Sequence, residues 1–113
     1  MRIVAARGYE RRAGRLLSLE ERAAAEAEIV ARPDAWPVIP GTGGARKARI
    51  AMRGRGKRGG GRVIYFYSPS AALVGLLEIY AKGVKEDLSH ADKKEIRAAI
   101  EEIRAALGTH GAG

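Results

Sequence analysis

The chain has 113 residues, no cysteine, and 21 Lys and Arg against 13 Asp and Glu, a formal net charge of +8. A chain of this length, with 46% hydrophobic residues, can bury about two thirds of its unfolded surface; it needs neither metal nor disulfide to fold and is not disordered throughout. Without cysteine there is no disulfide framework, no thiolate nucleophile and no Cys-ligated metal, which fits a reducing compartment.

Residues 3–6 suit a short edge strand, and residues 8–17, basic and weakly periodic, a helical turn or short helix. The N-terminus has no apolar stretch long enough for a signal peptide. The longest apolar run, residues 71–77, is far short of the roughly 18 that suggest a membrane span. A cytoplasmic protein is expected. Ser18-Leu19-Glu20-Glu21 is a capping box: the Ser18 hydroxyl can accept from the backbone of Glu21, whose carboxylate can reach back. The Ala- and Glu-rich run that follows favours helix. Arg32-Pro33 ends it, because the residue before proline avoids the α region. Trp36-Pro37-Val38-Ile39-Pro40 reads as an extended connector and Gly41-Thr42-Gly43-Gly44 as a turn.

Three strands are expected next. In residues 46–53, Ala48, Ile50 and Met52 alternate with Lys47, Arg49 and Ala51. Residues 62–68 are rich in β-branched and aromatic side chains. After a turn at Ser68-Pro69-Ser70, residues 72–82 are apolar enough for a central strand buried on both faces. Ser89 can cap a last helix, whose Ile96, Ile100, Ile103 and Leu107 form one apolar stripe. The fold class expected is α+β: an antiparallel sheet, made of the short N-terminal strand and a three-stranded meander, with N-terminal helices and one C-terminal helix. Residues 1–107 are expected to be a single domain and 108–113 a flexible tail.

The charge imbalance is local. Arg46, Lys47, Arg49, Arg53, Arg55, Lys57, Arg58 and Arg62 are eight basic residues in a stretch without an acid; without them, 13 basic residues face 13 acidic ones. Such a surface selects polyanions, of which nucleic acid is the commonest. The glycines at 54, 56 and 59–61 let backbone approach phosphate closely, and Lys57 is expected in a Gly-rich turn between Arg55 and Arg58. Lys47 and Arg49 share one strand face and are placed on the nucleic-acid surface as RNA-binding residues, with Arg53, Arg55 and Arg58, whereas Arg46 suits a structural role. The turn at 41–44 is no nucleotide loop. It lacks a GlyLysSer/Thr ending, and Arg46 stands where a dinucleotide fingerprint needs glycine. Trp36 reads as a core or edge plug rather than a base stacker. His90 and His110 lie away from the basic strands, which disfavours a ribonuclease built on paired histidines.

Three ordered blocks carry a resemblance. They are ValIleProGlyThrGlyGlyAlaArgLysAlaArg at 38–49, ArgGlyArgGlyLysArgGlyGlyGlyArgValIleTyr at 53–65, and IleTyrAlaLysGlyValLysGluAspLeu at 79–88. Together they are similar to the RelE/ParE toxin superfamily, nearest to its HigB-like RelE branch. The resemblance covers residues 38–88, and residues 1–35 agree only in general shape. It implies a toxin of a type II toxin–antitoxin system, an mRNA endonuclease that cuts on the ribosome without a metal or other cofactor. The products would carry 2′,3′-cyclic phosphate. It also implies a cognate antitoxin, of helix-turn-helix type in this branch. In such enzymes Lys, Arg and Tyr share the work. Spacing alone suits a solvated strand end for Tyr80 and Lys82; the resemblance of TyrAlaLys at 80–82 makes them catalytic, with Lys57 and Arg62. Glu78 on the same face is a departure, free to pair with Lys82 or act as a base. ParE-like relatives that poison gyrase generally lack such a cluster, and a non-catalytic nucleic-acid-binding module is the alternative from another class.

Overall fold

A computed structural model describes residues 1–52, 57–85 and 87–108, apart from the side chains of 57–59. In chain order come β1 (Arg2–Ala5), α1 (Arg7–Leu16), α2 (Leu19–Ala31), β2 (Ala45–Met52), β3 (Lys57–Ser68), β4 (Leu73–Ala81) and α3 (His90–Ala106). The α+β class expected from the sequence is the observed one. The capping box at Ser18 forms in full: its hydroxyl accepts from the Glu21 N–H at 3.0 Å and the Glu21 carboxylate accepts from the Ser18 N–H at 2.9 Å. α2 stops at Ala31, with Arg32 as its C-cap before Pro33.

The strands form one sheet in the order β1-β4-β3-β2. β2–β3 and β3–β4 are antiparallel, but β1 pairs with β4 in parallel, from Arg2 opposite Leu73 to Ala5 opposite Leu76. The sheet is therefore mixed, not the antiparallel sheet expected. The reason lies in the path of the chain. After β1, the helical pair carries the chain to the far edge, where β2 starts the meander back. That meander brings β4 against β1 in the same direction, a relation of distant segments that no local pattern encodes.

The pleat divides the core into two layers. Ala48, Ile50, Met52, Val63, Tyr65, Val74, Leu76 and Ile79 pack with Tyr9, Ala13, Ala25 and Ile29 of α1 and α2. On the opposite face Ala45, Ile64, Phe66, Leu77 and Tyr80 pack with Leu88, Ile96 and Ile100. β4 is buried on both faces, as its apolar run requires. α3 approaches closely because Gly75 leaves room: a Cβ there would lie 2.9 Å from the Ile103 side chain. Ile96 and Ile100 of the α3 stripe are buried, while Ile103 and Leu107 are half-buried. Among the described residues no helix is long and apolar enough to cross a membrane.

Candidate nucleic-acid interface

Alternation in β2 sends Lys47 and Arg49 to the α3 side of the sheet, because Ala48, Ile50 and Met52 take the other. Register then aligns the neighbours. Arg49 lies opposite Arg62, and Arg62 opposite Tyr80, so one row crosses three strands as Arg49, Arg62, Tyr80. α3 does not cover that end of the sheet. The uncovered end is a groove of about 630 Å³, lined by Lys47, Arg49, Arg62, Tyr80, Lys82 and Lys85 and walled by residues 36–40. Among the described residues its lining contains no carboxylate and no histidine. Lys47, Arg49 and Lys82 make no ion pair with a described carboxylate. Arg49 and Arg62, directly opposite each other, bring two like charges together on this face.

The wall is held firmly. Arg46 donates to the carbonyls of Trp36 at 2.5 Å and Asp34 at 3.4 Å, the structural role expected of it. Ile39 N–H donates to Ala45 O at 2.7 Å. Thr42, fully buried, donates to Ile39 O at 2.7 Å and accepts from Ala45 N–H at 3.0 Å. Gly41, Gly43 and Gly44 in this turn have φ of +82°, +79° and +120°, conformations that L side chains rarely adopt.

The floor is set by Tyr80 and Lys85. Tyr80 is 6% exposed, and its hydroxyl is buried with no hydrogen-bond partner among the described residues. Burial raises its pKa above the ordinary 10.0; the nearby Lys85 charge opposes that shift without cancelling it. Lys85 Nζ stands 5.2 Å from the Tyr80 ring centre, 3.3 Å from Glu78 Oε2 and 3.5 Å from Asp92 Oδ2. Burial works against the Lys85 charge, but Glu78 and Asp92 outweigh it and raise the pKa above 10.5. Asp92 also accepts from the Ser89 N–H at 3.0 Å, the main reason its pKa falls below 3.8.

Five of the residues selected from the sequence thus meet in one groove: Lys47, Arg49, Arg62, Tyr80 and Lys82. Four others do not enter this description. Arg53 and Arg55 lie outside the described residues, and so do the side chains of Lys57 and Arg58. Lys57 is not in the turn where it was expected. It opens β3 opposite Met52, because β3 runs through the glycines to Ser68. Gly61 permits this, since a Cβ there would come within 2.6 Å of the Met52 side chain. Glu78 pairs with Lys85 rather than Lys82. His90 opens α3, and His110 lies outside the described residues.

Sequence reasoning missed Lys85 and the use of residues 36–40 as a wall. Lys85 returns to Lys82 through a turn at Gly83, where φ is +92° and Lys82 and Lys85 form a bridge. The available signal was that glycine, since strand alternation ends before it. A scan of the chain against protein-family models finds no match.

Proposed function

We propose that the chain is a metal-independent, ribosome-dependent mRNA endonuclease, the toxin of a type II toxin–antitoxin system acting in the cytoplasm. The observation that carries this reading is the convergence of Lys47, Arg49, Arg62, Tyr80 and Lys82 in a groove whose described lining residues include no carboxylate or histidine. The RelE-like blocks at 38–49, 53–65 and 79–88, which contain these residues, support it as well. In the reaction, the RNA 2′-oxygen bonds to the adjacent phosphorus as the bond to the 5′-oxygen breaks. The 2′ proton passes to solvent water, the 5′-oxygen takes one up, and 2′,3′-cyclic phosphate and 5′-hydroxyl ends result. Lys47 and Arg49 hold the backbone, while Arg62 and Lys82 offset the charge that builds on the phosphoryl oxygens. Tyr80, kept protonated by its burial, serves as a hydrogen-bond and proton donor rather than a base. With such a lining, charge stabilisation is the largest contribution, and the ribosome supplies the alignment of the message. Lys57 is kept as a further contributor from β3. A cognate antitoxin, of helix-turn-helix type, restrains the activity by covering the groove or blocking ribosome entry.

The test is translation-coupled cleavage in a bacterial extract. Lys82→Ala is expected to slow cleavage about 10²- to 10³-fold, the effect of removing one oriented charge donor, with EDTA leaving the parent rate unchanged. Full activity in Lys82→Ala, or a strict divalent-metal requirement in the chemical step, overturns the reading. Expression without antitoxin is expected to arrest growth, with rescue by the antitoxin.

A further inference from the structure

Trp36 belongs to two concavities. It lines the cationic groove and also a neighbouring depression of about 330 Å³ bounded by Glu28, Ile29, Arg32, Ala48 and Arg49. Arg49 is the other residue the two share with it. A tryptophan serving only as a plug would present no concave surface. This one is half-buried, packed on the α1–α2 core layer and open on its remaining surface. Among the described residues no group accepts from its indole N–H. Its backbone is fixed on both sides, by Arg46 at its carbonyl and by the bond from the Tyr65 hydroxyl to Pro33 O at 2.6 Å. A ring so held loses little freedom when a flat ligand stacks on it.

We propose that Trp36 is a base-stacking platform: the nucleoside adjoining the groove phosphate lays its base on the indole in the second depression, and Arg49 holds the phosphate between. This rests on the reading of the groove as an RNA site and deepens it with a position for a flanking nucleotide. Aromatic stacking tolerates any base, because each has a π-face. Trp36 therefore adds affinity and sets strand register without reading sequence. To the expected role of Trp36 as a core or edge plug, which its packing on the α1–α2 core layer fits, the proposal adds an outward stacking role.

Trp36 is the only tryptophan of the chain, so intrinsic fluorescence reports on this position alone. The full chain is titrated at low salt with a short, end-labelled single-stranded RNA carrying 2′-O-methyl groups throughout, which prevents cleavage. Label anisotropy reads binding, and tryptophan emission reads stacking. Quenching that tracks binding is expected. An abasic residue at one position should abolish the quench and weaken binding about 5- to 100-fold. Trp36→Ala should lower the affinity of the intact oligomer to that of the abasic one, and leave the abasic one unaffected. The abasic series on the parent chain decides the matter even if Trp36→Ala folds poorly. Tight binding without quenching, or equal quenching by every abasic oligomer, overturns the platform and leaves the groove reading standing. Failure of any oligomer to bind overturns both.

Discussion

Tyr80 carries a buried hydroxyl that no group among the described residues satisfies. Leaving such a group unpaired costs about 1–3 kcal/mol, so its persistence needs a reason outside stability. In Tyr80→Phe the ring stays under Lys85 and the unpaired oxygen goes. The melting temperature is expected to hold or rise, by the equivalent of about 1 kcal/mol. Cleavage is expected to fall about 10²- to 10⁴-fold, as for loss of a proton donor. Calorimetry beside the extract assay checks both; a destabilised but fully active variant would contradict the assignment. Thr42 is the reverse case, a buried polar group with every bond used. Thr42→Val strands the Ala45 N–H and the Ile39 carbonyl, at about 1–3 kcal/mol each left unpaired, and loosens the wall at residues 36–40. Denaturant melts measure the loss.

The start of α3 is the element on which the groove floor depends. Ser89 and Asp92 form a reciprocal capping box, and Asp92 also reaches Lys85. Asp92 has a depressed folded pKa. Its stabilising contribution is present above the ordinary 3.8 and lost as pH falls through the lower folded value. Lys85 is shifted up, so its contribution is whole below 10.5 and lost as pH rises through the higher folded value. Asp92→Asn is expected to cost about 1 kcal/mol at neutral pH. The gap from the parent should close as pH falls below 3.8, because the parent then protonates Asp92 as well. Thermal melts across acid pH check this; a gap that does not change with pH would show that the carboxylate charge is not what holds the helix start.

Charge is organised at the scale of the whole molecule. α3 covers one end of its sheet face, and at the other the cations of β2, β3 and the segment after β4 line the groove, Arg49 and Lys82 exposed. Binding to a polyanion through such a surface releases counterions and weakens as salt rises. The double variant Lys47→Ala, Arg49→Ala is expected to lower the slope of log affinity against log salt by about 1.4, from two contacts at about 0.7 each on a single strand. The fold should be intact, since neither residue is in the core. RNA titrations over a salt series measure the slope; an unchanged slope would remove these two residues from the interface.

Local chemistry made much of this molecule legible in the sequence. The Ser18 and Ser89 caps, the Pro33 stop, the alternation of Lys47 and Arg49 with Ala48 and Ile50, and the apolar run of β4 each depend on residues a few positions apart. Helix capping and strand alternation act over that distance. The sequence therefore also placed the cations on β2 and Tyr80 on β4. Only the tertiary structure decided that Arg49, Arg62 and Tyr80 stand in one row, because register depends on strand pairing and bulges. It also decided that β1 joins β4 in parallel, that Glu78 engages Lys85, and that Trp36 stands between two concavities. These relations join segments far apart in the chain. Burial, packing and charge choose among such partners only once the whole chain is folded.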